Sequence, residues 1–86
     1  MTDDRQQRLQ DLTRFLRTIQ KPNRSVESIG VHEGLAASGL IDSLAIVQIV
    51  VYLENTYGID FAARGVDPER LASMASILDL VEEARA

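Results

Sequence analysis

The sequence predicts an all-α protein: a four-helix bundle with a long first loop and a short third helix. Three observations predict it. Apolar residues recur at three- and four-residue spacing in separate stretches. No stretch alternates convincingly as a strand, and Ile59-Asp60-Phe61 is too short to count as one. Helix stops and starts, at Pro22, Gly58 and Asp67-Pro68, fall between the periodic stretches.

The first helix carries Leu9, Leu12, Phe15, Leu16 and Ile19 on one face. Thr2 or Asp3 is expected to cap it, and Asp3 and Asp4 suit the positive end of its dipole. Pro22 stops it near Gln20. Residues 22–41 have no clean period. A loop of about 20 residues in a small domain needs anchoring. Val26, Ile29, Val31 and Leu35 are its expected anchors, with a short helical turn near Val26 to Gly30.

The second helix is expected to start at Asp42 or Ser43 and to end at Tyr57, before Gly58. At 100° per residue, Ile46, Ile49, Val50, Leu53 and Tyr57 form its core face. Gln48 and Asn55 lie opposite. Leu44, Val47 and Val51 lie on or beside that polar side. They either cover the loop or another helix, or form a stripe for a partner. Asp67-Pro68-Glu69 opens a short third helix to about Ala72. Ser73 caps a fourth, with Met74, Ile77, Leu78 and Val81 inward. Glu82-Glu83 read as its solvated end.

At 86 residues the chain, 1–86, is expected to be one domain. Such a domain buries about two thirds of its unfolded surface, so a deep enzyme pocket is hard to build. Apolar residues make up 45% of the chain, which places it among globular proteins. The net charge is −4 and the cations are scattered, which argues against nucleic acid. There is no Cys, so no thiol nucleophile or thiolate metal site. His32 is the one histidine and sits in the loop. It has neither the partners of a catalytic triad nor a second ligand for a metal. The longest apolar run, Ile49 to Leu53, is too short to span a membrane, and MTDDRQQR is too polar for a signal peptide. A cytoplasmic monomer that is not an enzyme is the expectation.

What remains is Gly39-Leu40-Ile41-Asp42-Ser43-Leu44. A serine at the mouth of a helix after a long loop is reachable by a modifying enzyme. The helix N-terminus favours a phosphate attached there. Taken alone, Asp-Ser before an apolar run reads first as a plain helix cap, because so short a motif recurs by chance.

The stretch GLIDSLAIVQIVVYLENTYGIDF resembles the core of the acyl carrier and peptidyl carrier protein family. The resemblance extends to the helix lengths, the long first loop and the short third helix. It implies that Ser43 receives 4′-phosphopantetheine from coenzyme A, through a separate Mg²⁺-dependent phosphopantetheinyl transferase. Asp42 would help present the site and the metal to that transferase. Leu44, Val47, Gln48, Val51 and Glu54 would face partner enzymes. Those partners would be an adenylate-forming acyl or amino-acid ligase and a downstream acceptor enzyme. The missing Cys fits, because a thioester carrier without a thiol must borrow one from the arm.

There are departures from the family pattern. Fatty-acid carriers have an acid-rich second helix, whereas here Ala45, Gln48 and Asn55 take the partner-facing positions and Asp42 and Glu54 are the acids. The segment FAARGVDPER also lacks the usual acidic run. These features look more like free-standing aminoacyl carriers, including the D-alanyl type. The alternatives are a fatty-acid or polyketide carrier and, in another class, an unmodified helical adaptor.

Overall fold

A computed structural model describes residues 4–85, and every side chain among them except those of Ser43 and Arg85. The capping expected of Thr2 and Asp3 lies outside the described residues. Helix α1 is Asp4–Ile19, and it buries Leu12 and Leu16. Leu9, Phe15 and Ile19 pack half-buried beside them, as the spacing predicts. Arg17 lies in the last turn, where a cation suits the dipole.

Helix α2 is Ser43–Tyr57. Its C-terminus is set by Gly58, which is left-handed at φ 69° and donates its N–H to the Glu54 carbonyl. A glycine adopts that conformation without the Cβ penalty. Its buried residues are Ala45, Ile49 and Leu53, while Ile46, Val50 and Tyr57 are half-buried. The core face is thus turned toward Ala45 from the expected one. Ala45 is 6% exposed, which corrects its placement at a partner-facing position. Its small side chain gave no hydropathic signal, yet it lets α2 approach the core closely.

The loop between α1 and α2 is ordered by two devices. Val26 and Leu35 are buried anchors, as expected, and Ile29 and Val31 pack half-buried beside the core. Leu40 and Ile41 are buried too, and were not expected as anchors. Backbone hydrogen bonds add to this: Leu35 N–H to the Ala72 carbonyl at 2.7 Å, and Ala75 N–H to the Val31 carbonyl at 2.9 Å. A 3₁₀ turn at Val26–Ser28 stands where a helical turn was expected, with the Ser25 hydroxyl accepting from Glu27 N–H.

Helix α3, Phe61–Arg64, is a single turn that the periodicity did not reveal. The Asp60 side chain caps it by accepting from Ala63 N–H at 3.2 Å, and it buries Phe61. One turn is too short to display a repeat. The short helix expected at Asp67 is a 3₁₀ turn, Pro68–Leu71, with Asp67 accepting from Glu69 N–H at 3.0 Å. Helix α4 is Met74–Arg85. Ser73 and Ser76 cap each other across its first turn, Ser76 N–H to Ser73 Oγ at 3.2 Å and Ser73 N–H to Ser76 Oγ at 3.1 Å.

The core joins α1, α2, α4 and the Pro68–Leu71 turn through Leu12, Leu16, Ile49, Leu53, Leu71, Ile77 and Val81. The result is an all-helical bundle, with no strand among the described residues. The side chains of the acids at the end of α4 are open to solvent, as expected, and also form surface ion pairs. Glu82 takes Arg5 of α1 at 2.6 Å, and Glu83 takes Arg70. Arg5 also meets Asp79 at 3.1 Å. Arg17 of α1 pairs with Glu27, whose carboxyl is held below its ordinary range by the Ser25 hydroxyl and by Arg17. No described helix is long and apolar enough to cross a membrane.

Candidate functional site

The approach to α2 is a run of turns. Ser38 N–H donates to the Gly34 carbonyl, Gly39 N–H to Ala36, and Leu40 N–H to Leu35. Gly39 sits at φ 83°, a conformation that other residues rarely adopt. It turns the chain so that Leu40 and Ile41 drop into the core. Those two anchors fix where the next residue emerges.

Asp42 emerges exposed, in extended backbone, and its Oδ1 accepts from the N–H of Leu44 at 3.1 Å and of Ala45 at 3.2 Å. It is therefore the helix cap, and Ser43 is the first residue of α2. The Ser43 hydroxyl, expected to reach solvent, lies outside the described residues. Its neighbours on both sides are open: Asp42 is exposed and Leu44 is 77% exposed.

From Leu44 an exposed stripe runs up α2 through Val47, 62% exposed, and Val51, 46% exposed. None of the three belongs to the buried core. Gln48 is exposed beside them, and Glu54 is half-buried further along. No residue from Ser43 to Leu53 carries a charge, so the stripe is apolar and neutral.

The helical pattern did not reveal the groove beside this stripe. It encloses about 440 Å³ between α1 and α2, and Phe15, Ile19, Val47, Val51 and Tyr52 line it. The Phe15 and Tyr52 rings stack with centroids 4.3 Å apart and planes 9° from parallel. Tyr57 meets Tyr52 edge-on at 6.3 Å. Burial pushes the Tyr52 phenol up to about 12, and Tyr57 beside it adds to the shift. The residues of this groove come from two helices, and no local spacing joins them.

His32 is exposed, at the edge of an open cleft of about 390 Å³ that Arg5, Leu9, Val31 and Leu78 also line. No cluster of His, Cys, Asp and Glu fit to hold a metal ion occurs among the described residues.

The start of α2 suits an anionic attachment. Its first turn carries the positive end of the dipole, with the N–H groups of Leu44 and Ala45 already taken by Asp42. The exposed neighbours leave room for a bulky group. A 4′-phosphopantetheine group, joined through a phosphodiester, fits that setting. Residues 14–83 match the family model described as "Phosphopantetheine attachment site". No curated protein and no solved structure matches the chain.

Proposed function

The chain belongs to the phosphopantetheine-attachment family of acyl and peptidyl carrier proteins, whose members bear a covalent 4′-phosphopantetheine group, and from that premise we propose that Ser43 is the attachment residue. One observation carries this. Within the matched segment, Ser43 opens α2 directly after the Gly39–Asp42 turn, between two exposed neighbours.

The matched domain is a carrier domain rather than a catalytic one, and carriers of this kind work with a phosphopantetheinyl transferase and acyl-handling enzymes. When bound, the arm supplies a terminal thiol on which cargo is held as a thioester. This chain's residues would do the rest. Asp42 holds the helix start rigid and offers a carboxylate to the transferase. Leu44, Val47, Gln48, Val51 and Glu54 form the face that partners meet. Tethering raises the effective concentration of cargo at each partner without any chemistry by the carrier.

The neutral stripe supports an aminoacyl cargo over a fatty-acyl one. Partners that dock through rows of Lys and Arg would gain little from α2 as it stands. The cargo would be loaded by an adenylate-forming ligase and passed to a downstream acceptor. The working unit is one carrier domain over 1–86, a cytoplasmic monomer. The radius of gyration, 12.2 Å, is what one domain of this length gives, about 12 Å.

Intact mass tests the attachment. The protein is incubated with coenzyme A, Mg²⁺ and broad-specificity phosphopantetheinyl transferases. Wild type gains one arm and Ser43→Ala gains none. An unchanged wild-type mass with several transferases leaves the unmodified adaptor as the better reading.

A further inference from the structure

Among the described residues Arg24 lies against Gly39 but has no side-chain partner. The turn Lys21–Arg24 is closed by Arg24 N–H donating to the Lys21 carbonyl at 3.0 Å. Pro22 stands at its second position, where a fixed φ stiffens the turn. Lys21 N–H donates to the Leu40 carbonyl at 2.8 Å, which docks this turn on the segment leading into α2. On the far side Ser25 caps the 3₁₀ turn and Val26 is buried. Arg24 is thus delivered by backbone held at both ends.

Its guanidinium rests on Gly39. A Cβ at Gly39 would stand 3.1 Å from Arg24 Nε and 3.5 Å from Nη2. The positive φ favours glycine here, and its bare Cα lets the cation lie close. Arg5, Arg14, Arg17 and Arg70 each meet a carboxylate. Arg24 makes no side-chain hydrogen bond and no ion pair among the described residues. Arg8 and Arg64 are also unpaired, but no glycine seats either of them.

An exposed cation without a counter-ion among the described residues, on backbone tied at both ends, is suited to an anion that arrives later. Four residues of chain, at most about 14 Å, separate Gly39 from Ser43. Leu40 and Ile41 are buried between them, so that segment is fixed. The carboxylate next to Ser43, that of Asp42, has its Oδ1 committed to the N–H groups of Leu44 and Ala45. Lys21, exposed on the same turn, adds positive charge.

We propose that Arg24, seated on Gly39, is a binding residue for the phosphodiester of the arm on Ser43. This rests on the carrier reading above. A guanidinium matches a phosphate's oxygens better than an ammonium does, through paired N–H donors. Because the turn already holds its backbone, only side-chain freedom is lost on binding.

The test compares loaded and unloaded forms of wild type, Arg24→Gln and Arg24→Lys. Intact mass first confirms one arm on each loaded sample. A failure of all three to load counts against the carrier reading, not against Arg24. The readouts are the ³¹P resonance of the phosphodiester and the difference in thermal midpoint between loaded and unloaded protein. In wild type, loading raises the midpoint by a few degrees, and added salt shrinks that gain. Arg24→Gln abolishes the gain and moves the ³¹P resonance, and Arg24→Lys keeps part of it. The unloaded Arg24→Gln midpoint shows that the variant folds. An equal loading gain in wild type and Arg24→Gln, or an unmoved ³¹P resonance, overturns the assignment.

Discussion

Val51 and Leu53 are two residues apart on one helix and have opposite duties. Val51 is 46% exposed, and Leu53 is fully buried among α1 and α4 residues. Leu53→Ala should lower unfolding stability by about 2–5 kcal/mol, because it removes a packed side chain and leaves a cavity. Urea midpoints measure this. Val51→Asp should leave that midpoint within about 0.5 kcal/mol of wild type. It should instead raise KM for the carrier in transferase or ligase assays by about tenfold, since it sets a charge against an apolar contact. A destabilised Val51→Asp would mean that the outer face of α2 supports the fold. The phase of α2 was legible in the sequence to within a small rotation. Ala45 was misplaced because a methyl group looks alike on a hydropathy wheel whether it faces solvent or core. Arg24 could not be read at all: its seat is Gly39, fifteen residues away, and neither residue carries a periodic signal.

At the scale of elements, the start of α2 combines two functions in one side chain. Asp42 caps the helix through Oδ1. It is also the carboxylate that the proposed function offers to the transferase. The two duties separate by substitution. Asp42→Ala should destabilise the protein by about 1 kcal/mol, with a range of roughly 0.5–2. Asp42→Asn keeps a capping oxygen, so its thermal midpoint should stay near wild type. If the carboxylate serves the transferase, Asp42→Asn should still load more slowly. Loading at the wild-type rate with an intact fold would reduce Asp42 to a cap. The long helices α1, α2 and α4 were legible because each shows more than two turns of apolar repeat. Helix α3 was not, since a single turn repeats nothing. The loop was half legible. Its apolar anchors could be named, but the hydrogen bonds of Leu35 to Ala72 and Ala75 to Val31 join segments that no spacing rule connects.

The whole molecule has a seam that the helices share, the contact of α1 with α2 at Phe15 and Tyr52. Stacked rings hold the helices together there and also form the floor of the neutral groove. The seam makes stability depend on alkaline pH. Burial raises the Tyr52 phenol from its ordinary value of 10 to about 12. The unfolded chain ionises at the ordinary value, so above it the unfolded chain gives up a proton that the folded chain still holds. The stabilisation is therefore complete below about pH 10 and is lost as pH rises toward 12. Thermal midpoints should fall across that window, and part of the phenolate absorbance should develop near its upper end. Tyr52→Phe keeps a ring for Phe15 to stack on but has no proton to lose. It should flatten the alkaline fall attributable to this site while keeping the bundle folded at neutral pH. A wild-type fall that is unchanged in Tyr52→Phe would assign the alkaline sensitivity elsewhere. The seam would then be a packing contact whose ionisation the fold does not feel.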